Sequence, residues 1–471
     1  MQVLVLEAST TSAKAMVYDL KKGIQAVAVL PYDRKIGDSA VQDTVLVYES
    51  LLAAGRQVAE GEDIAAVALG GIWHGLVVCD KAMQPVTPTY TWAYMDAAKY
   101  AAQLRRDGAF TKRAYQATGC MVHATYPAYR LAYLKDNGLS IEGKLIAGQG
   151  SYNFFRLTGE RLTTISMKSG SAFLNTHTLD YDKEILKLSG VKKEQLGTLC
   201  AHTDTRPLLK DAAEKLGISA GIPVVPALAD GALNQAGSGA LRRGFMTFSV
   251  GTSAAIRMAS DRPVIPEKPS TWCYYTAGKH LCGAATAGAT NCVDWYMQHI
   301  LGGRIGYGKI ESMIKNKEDA PVFMPFLFGE RCPGWRDDLK GGFYDLTDST
   351  RIGEQYYAVL EGVLFNIYQC YLELVKITGA PEKIFVSGGI CNSEYWLSML
   401  TDIFQKEITL LSNEQASLLG GAVLALHAAG GLPDIESFSV KTERVIQPDN
   451  MNGRLYRQRF DRYRDIYDTM I

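Results

Sequence analysis

Asp230 and a turn of hydroxyl residues that follows it are the features of this chain that are best suited to chemistry. The aspartate comes after an apolar strand predicted at 222–226 and directly before Gly231, and the turn at 251–253 separates two further predicted strands. A carboxylate can orient a hydroxyl group and accept its proton, and the N–H and hydroxyl groups of a tight turn can bind phosphate. Together they indicate phosphoryl transfer to an alcohol, although an aspartate before glycine is equally typical of an ordinary turn.

The N-terminus repeats the second part of this arrangement. Here too an apolar strand leads into a hydroxyl turn, at residues 9–12, and a second strand follows. The cation Lys14 comes after this turn, just as Arg257 comes after the turn at 251–253. Two such copies, half a chain apart, predict two similar domains that face each other. Chance similarity between two short hairpins is the alternative.

The composition bounds the function. The 471 residues are enough for two or three domains, and 49 basic residues balance 49 acidic ones, which gives no electrostatic reason to expect nucleic acid or a membrane as a partner. The nine cysteines contain no C-x-x-C pair, the seven histidines are dispersed, and the N-terminus enters a strand directly. These features predict a cytoplasmic protein with reduced thiols that acts on a small molecule.

Strands and helices alternate along the chain, which predicts an α/β fold. Strands are expected at 64–69 and 76–79, and a strand at 383–386 precedes a pair of glycines. Helices are expected at 94–106, 126–135, 149–157, 183–188, 356–374, 395–404 and 416–429. We place the domain boundary between residues 241 and 242, where a segment of small residues ends and the second hairpin begins.

Two pairs of residues are candidates for binding. Trp73 and His74 lie between glycines and could line a polar pocket, although a buried histidine with satisfied hydrogen bonds is more common. Gly388 and Gly389 follow a strand and would allow a nucleotide to approach the backbone closely, but an isolated glycine pair is a weak signal.

Two acidic residues have competing interpretations. Glu7 ends the first strand beside the hydroxyl turn and could position magnesium through water, or it could be an ordinary solvated strand-end residue. Glu330 and Arg331 lie in a turn and could equally form a structural ion pair.

Taken in order, these segments resemble the FGGY family of carbohydrate kinases, which belongs to the actin, hexokinase and Hsp70 superfamily. The most specific similarities are VGTSAAIR at 250–257, GERCP at 329–333, AVLEGV at 358–363, and SGG at 387–389 with Trp396 downstream. The resemblance implies an α/β fold of two actin-like, ribonuclease H-like domains separated by a cleft. Residues 1–241 would then form the sugar-binding side and residues 242–471 the nucleotide-binding side.

Within the family, the gluconate kinase branch is most similar. The stretch TGCMVHATYP at 118–127 resembles a motif of that branch, and Gly231 follows the aspartate where pentulose kinases usually have asparagine. The resemblance therefore implies a sugar acid such as an aldonate as substrate, with a pentulose kinase such as xylulokinase as the alternative.

The resemblance also assigns roles. It implies ATP and Mg²⁺ as cofactors, transfer of the γ-phosphoryl group after domain closure, and an assembly that could be a homodimer. The roles that it implies are catalytic base for Asp230; sugar contact for Trp73, His74 and Gly231; phosphate binding for Thr10, Thr11, Lys14, Gly251, Thr252 and Ser253; adenosine binding for Gly388, Gly389 and Asn392; and magnesium positioning for Glu7.

The first phosphate motif departs from the family pattern D-x-G-T-T. This chain has Glu7 and Ser9 in place of the aspartate and the glycine, so a longer carboxylate must rearrange the water shell of the metal, and serine has less backbone freedom than glycine. The departure raises a hypothesis of another class, a paralogue that binds nucleotide or sugar without transferring phosphate. Loss of turnover on Asp230→Ala with retained ATP binding would distinguish an enzyme from such a paralogue.

Overall fold

A mixed six-stranded sheet forms the first half of the molecule in the computed structural model, which describes residues 1–412 and 415–470. Three consecutive strands form an antiparallel meander, and the first of them also pairs in parallel with a strand on its other side. In spatial order the strands are Arg206–Pro207, Pro223–Ala229, Ile64–Gly71, Gln2–Ala8, Ser12–Asp19 and Gly23–Pro31.

A seven-stranded sheet in the second half repeats this pairing. Its first hairpin is extended by a third antiparallel strand, and the first strand again pairs in parallel on its other side. In spatial order the strands are Trp272–Thr276, Lys279–Thr286, Ala254–Ser260, Phe245–Val250, Lys383–Ser387, Ile408–Leu411 and Thr442–Ile446. The two hydroxyl turns thus occupy equivalent places in two similar sheets, as the repeated sequence pattern predicts. The boundary after Leu241 stays a prediction.

The central strands read as continuous apolar runs because both faces of the sheet are covered. Val3 to Leu6 are all fully buried, and helices Thr44–Ala59 and Ala416–Ala428 both contact their strand. Asp43 begins the first of these helices by accepting hydrogen bonds from the backbone N–H groups of Val45 and Leu46.

The α-helices agree with most of the predicted ranges. They are Thr44–Ala59, Ala98–Leu104, Gly108–Thr118, Pro127–Asp136, Gln149–Thr158, Ile165–Ser169, Lys183–Ser189, Lys210–Leu216, Asp230–Gly237, Thr290–Trp295, Tyr307–Glu311, Ile352–Thr378, Glu394–Phe404, Ala416–Ala428 and Asn452–Met470. Shorter strands are Val41–Gln42, Val77–Cys79, Thr89–Tyr90, Leu145–Ala147, Leu162–Thr164, Leu174–Asn175, Asp180–Tyr181, Thr198–Cys200, Val322–Met324 and Gly342–Tyr344.

The helix predicted at 94–106 is wrong at its start. The structure has a helix only at Ala98–Leu104, because the preceding residues form a turn around Thr91. The N–H of Tyr94 donates to the Thr91 carbonyl and that of Ala93 to the Thr91 hydroxyl, so these groups are held outside the helix.

Helices Asp230–Gly237 and Ala416–Ala428 both contact strands of the first sheet and approach each other at backbone distance. A Cβ on Gly237 would lie 1.9 Å from the carbonyl oxygen of Ala416, and one on Gly420 would lie 1.9 Å from that of Leu233. Only glycine permits this approach. The helix that begins at Asp230 is therefore fixed by its contact with helix Ala416–Ala428.

The longest helix, Ile352–Thr378, passes through the core of the second half. It is long and apolar enough to cross a membrane by length and composition, but 78% of its apolar window is buried inside the protein, as expected for a core helix. Its buried Glu361 forms a two-point ion pair with Arg459, with Nε–Oε1 and Nη2–Oε2 distances of 2.7 Å. This pair attaches the C-terminal helix to the core.

Candidate active site

A cleft cavity of about 530 Å³ brings both hydroxyl turns and the aspartate together. It is lined from the first half by the predicted residues Glu7, Thr10, Thr11, Lys14, Trp73, His74, Asp230 and Gly231, and from the second half by Gly251, Thr252 and Ser253. The cavity volume suits a small polar ligand together with phosphate groups. Residues separated by most of the chain thus surround one space.

Asp230 lies at the carboxyl end of strand Pro223–Ala229 and is the first residue of helix Asp230–Gly237. Its Oδ1 accepts a 2.7 Å hydrogen bond from the N–H of Gly231. Burial, and then the charge of Glu7, raise the pKa of Asp230 to about 6 against the opposing effects of Arg257 and Lys14. The carboxylate is therefore largely ionised at neutral pH and is a stronger base than an exposed aspartate.

The first hydroxyl turn forms without the glycine that the family pattern would place in it. Ser9 is not among the described residues with positive φ, so its backbone conformation suits serine. Its hydroxyl bonds to the backbone and hydroxyl of Ser12, which closes the turn. Thr10 is fixed from outside by Trp92, whose indole N–H donates to the threonine hydroxyl at 3.0 Å, and by the side-chain amide of Gln42.

Glu7 and Lys14 face each other across the first hairpin. They are register partners, and the Nζ of Lys14 lies 3.2 Å from Oε1 of Glu7. The second carboxylate oxygen, Oε2, is buried and has no hydrogen-bond partner among the described residues. Glu7 is thus not a solvated strand-end residue, and it retains an oxygen that could bind a cation or its water.

The second turn is supported by the start of helix Thr290–Trp295, which follows strand Lys279–Thr286. The N–H of Thr290 donates to the carbonyl of Gly251 at 2.9 Å, and that of Asn291 donates to the carbonyl of Thr252. Every second residue from the end of this turn into strand Ala254–Ser260 lines the cavity, because alternate residues of a strand share one face. These residues are Ser253, Ala255 and Arg257.

Trp73 forms an aromatic wall rather than a hydrogen-bonding group in the cavity. Its indole N–H donates to the carbonyl of Ser166 at 2.9 Å, so only the ring is available to a ligand. The ring packs at 4.9 Å from Tyr274 and 6.2 Å from Trp272, both of which belong to the second sheet. Such a wall suits the C–H face of a sugar.

His74 is held in one orientation. It has a φ of 67°, its Nδ1 donates to the carbonyl of Gly170, and its ring packs against Tyr126 and Tyr274. Burial lowers its pKa to about 3, with a further contribution from the charge of Arg331. The neutral ring protonated at Nδ1 leaves Nε2 as a hydrogen-bond acceptor in the cavity.

Gly231 provides space beside Asp230. A Cβ at this position would lie 2.7 Å from the ring of Trp73 and 3.0 Å from Nη2 of Arg257. An asparagine here would require both neighbours to move. The glycine is thus explained by the position of Arg257, a residue whose place in the cavity the sequence prediction missed.

Arg331 also lines the cavity, although its sequence neighbour suggested an ion pair. Glu330 accepts a 2.7 Å hydrogen bond from the hydroxyl of Tyr467 instead. The two adjacent side chains therefore serve different sites. The sequence signals for these cavity arginines were the position of Arg257 after the repeated turn and the GERCP segment that contains Arg331, but neither signal assigned the side chain to the cavity.

The predicted adenosine residues lie outside the lining of this cavity in the described structure. Gly388 follows strand Lys383–Ser387 with φ of 94°, and Asn392 ends a short 3₁₀ helix. A Cβ on Gly388 would lie 2.4 Å from the carbonyl oxygen of Val250, directly before the second turn. The glycine is thus needed for contact between strands, and its role at a nucleotide stays a prediction.

The fold and the site define a two-domain kinase of the actin-like superfamily, with a candidate base and two hydroxyl turns in one cleft. The chain belongs to the FGGY family of carbohydrate kinases. The family's N-terminal domain matches residues 2–237 and its C-terminal domain matches residues 246–429. The protein is accordingly an enzyme that phosphorylates a carbohydrate.

Curated relatives and solved structures agree with this assignment. The chain is 26% identical over 459 residues to a gluconokinase of Bacillus subtilis, covering 93% of this chain and 89% of that protein. A xylulose kinase of the same organism is 23% identical, with the same coverage of both chains. A ligand-bound xylulose kinase from Lactobacillus acidophilus superposes with a TM-score of 0.93 at 27% identity, covering 99% of this chain and 98% of that chain. A gluconate kinase from the same organism superposes with a TM-score of 0.92 at 26% identity, covering 100% of this chain and 98% of that chain.

Proposed function

We propose that this enzyme transfers the γ-phosphoryl group of ATP to a hydroxyl of a sugar acid similar to gluconate, with Asp230 as general base. The observation that carries the proposal is the single cavity that contains Asp230 and both hydroxyl turns. The bond between the acceptor oxygen and the γ-phosphorus forms while the bond to the oxygen of ADP breaks. The proton of the acceptor hydroxyl passes to Asp230.

The residues present fit the cofactors. The backbone and hydroxyl groups of the two turns and the ammonium of Lys14 would bind the phosphates. Bound Mg²⁺ would supply charge neutralisation, and the unpartnered Oε2 of Glu7 is the atom that would hold the ion or its water. Gly388, Gly389 and Asn392 are proposed for adenosine because they follow the strand beside the second turn.

The gluconokinase similarity and Gly231 favour a sugar acid. The xylulose kinase with the higher TM-score supports a second candidate, a pentulose kinase. A panel of gluconate, xylulose, ribulose, erythritol and glycerol, assayed by ADP release with ATP and magnesium, distinguishes them. Turnover of gluconate is expected, whereas turnover of xylulose without gluconate would favour the second candidate.

Asp230→Asn tests whether the cavity is catalytic. We expect a fall in kcat of about 10²- to 10⁴-fold, because the variant cannot accept the proton, with little change in ATP affinity. Asp348→Asn is the matched control, since Asp348 lies in an exposed turn. Full activity of Asp230→Asn would show that another group is the base, and an inactive wild type that binds ATP would identify a non-catalytic paralogue.

A cytoplasmic location is proposed with this function. Within the described residues no disulfide joins any two cysteines, and the relatives are metabolic kinases of bacteria. Both observations support a reducing compartment where ATP is available. Fractionation of the native cell would test it.

A further inference from the structure

We propose that Arg257 and Arg331 form the binding site for the carboxylate of the substrate and so select a sugar acid over a neutral sugar. The inference rests on the proposed function and extends it, because it names the residues that recognise the acidic group. Both side chains belong to the second half of the chain, whereas Asp230, Trp73 and His74 belong to the first. A ligand held by both sets would connect the two walls of the cleft.

The guanidinium of Arg257 has two nitrogen atoms without a hydrogen-bond partner in the described structure. Its Nε and Nη1 atoms are buried without a hydrogen-bond partner, while its side chain lines the cavity and its Nη2 lies beside Gly231. Leaving buried donors unpaired is costly, so such donors in a binding cavity indicate a ligand that accepts from them. A carboxylate accepts two parallel hydrogen bonds from one guanidinium.

Arg331 supplies a second unpartnered group to the same space. Its Nε is buried without a partner, and the backbone of the next residue, Cys332, is fixed by a 3.0 Å hydrogen bond to the carbonyl of Ala285, another cavity residue. The arginine is thus anchored at its base. Its charge acts on His74 and on Arg257, and all three residues line the same cavity.

The Arg257 end of the cavity lies beyond the second turn along strand Ala254–Ser260. Arg257 is four residues beyond Ser253 on an extended strand, which at about 3.3 Å per residue corresponds to about 13 Å. Trp73 and Tyr274 line the same end. A sugar acid could therefore place its carboxylate between the arginines and a hydroxyl beside Asp230, while the phosphates of ATP remain at the turns.

The electrostatics also favour an anionic group here. Burial has the largest effect on the pKa of Arg257 and lowers it, Asp230 and Tyr274 oppose this shift, and the charge of Arg331 adds to it, which gives a net pKa of about 10. The two arginines carry like charges that repel each other, and a carboxylate between them would replace that repulsion with two attractions. A neutral hydroxyl at the same place would leave the repulsion in place.

Matched substrates and arginine variants test the proposal. Gluconate and its neutral alcohol glucitol would be compared as substrates, and their binding measured by calorimetry, for wild type, Arg257→Met and Arg331→Met. Each variant is expected to weaken gluconate binding and to lower kcat/KM for gluconate by about 10- to 100-fold, because each removes a charged hydrogen bond. At about pH 8, where Asp230 is ionised in the wild type and in the variants, glucitol kinetics and ATP affinity should change by less than about threefold.

The controls separate charge from folding. Arg336→Met removes an arginine in the same segment that is paired with Asp338 on the surface, and it should leave gluconate binding unchanged. Arg257→Lys keeps the charge and should recover part of the lost affinity. Circular dichroism and thermal unfolding of each variant would show that loss of binding is not loss of fold.

The outcomes distinguish this inference from the proposed function. If the wild type phosphorylates a neutral ketose and does not bind gluconate, the carboxylate site is wrong while the kinase assignment stands. If the variants lose ATP affinity, or lose activity equally on gluconate and glucitol, the arginines serve the phosphoryl group and the proposal is overturned. If nothing is phosphorylated but gluconate still binds in an Arg257-dependent manner, the site stands and the proposed reaction fails.

Discussion

The pH dependence of catalysis is the sharpest test of the site, because it depends on the raised pKa of Asp230 in the cavity. The pKa of about 6 predicts that about nine-tenths of the carboxylate is ionised at pH 7 and about one-tenth at pH 5. The value of kcat/KM should therefore fall about tenfold between these pH values. An exposed aspartate with a pKa near about 3.9 would stay mostly ionised and give almost no fall.

Two substitutions should move the acidic limb of the pH profile, which is the fall of kcat/KM at low pH, in opposite directions. Glu7 raises the pKa of Asp230, so Glu7→Gln should shift the limb to lower pH. Arg257 lowers it, so Arg257→Met should shift the limb to higher pH. Glu62→Gln, at the opposite end of the sheet on an exposed loop, should leave it unchanged.

The assay is the initial rate of ADP release at saturating magnesium and ATP, measured from about pH 5 to about pH 9 in buffers of constant ionic strength. The position of the limb is compared, not the absolute rate, because Glu7 and Arg257 have other proposed roles. Titration of ATP itself is common to all variants and cannot produce a difference between them. A limb that stays in place in both variants, or that moves in the same direction in both, would refute Asp230 as the titrating base.

Three further predictions concern packing and stability. Arg459→Met should lower the free energy of unfolding by about 3–5 kcal/mol, because it leaves the carboxylate of Glu361 buried without its partner; urea denaturation measures it. Gly420→Ala should lower the free energy of unfolding by about 1–3 kcal/mol in the same assay. It should also lower kcat, since it displaces the helix that begins at Asp230. Gly108→Ala is the control and should be tolerated, because a Cβ there meets nothing within 4 Å. Burial raises the pKa of Glu330 to about 7, so near neutral pH the folded state binds a proton that the unfolded state has lost. The Tm of the wild type should therefore fall relative to that of Glu330→Gln as the pH rises from about 5 to about 8. Equal slopes of Tm against pH for the two proteins would contradict this.

The sequence was sufficient for the elements because their signals are local. The apolar run from Val3 to Leu6 and the alternating residues around the two turns predict buried strands joined by hairpins, and each forms as expected. Where the local signal was ambiguous the prediction was wrong, as at Tyr94, which a turn holds outside the helix. Hydrogen bonds to a side chain such as Thr91 do not appear in a periodic pattern.

For the site, the sequence itself identified Asp230 and the two turns as candidates, and it could not choose between a base and an ordinary turn residue. The pairing of strands in two similar sheets decides that these segments line one cavity. The raised pKa of the aspartate likewise comes from burial and from the charge of Glu7, against the effect of Arg257, and all of these depend on segments that are distant in sequence. No local pattern encodes such a distance.

The tertiary structure alone decided the end of the cavity that holds Arg257 and Arg331. One arginine lies on a strand and the other in a loop, and they line one cavity with Trp73 and Gly231 only when the two halves face each other. Local propensity fixes which residues form a strand or a helix, because it depends on near neighbours along the chain. Convergence of side chains on a ligand depends on packing between distant segments, and for this protein that packing determined which charges surround the substrate.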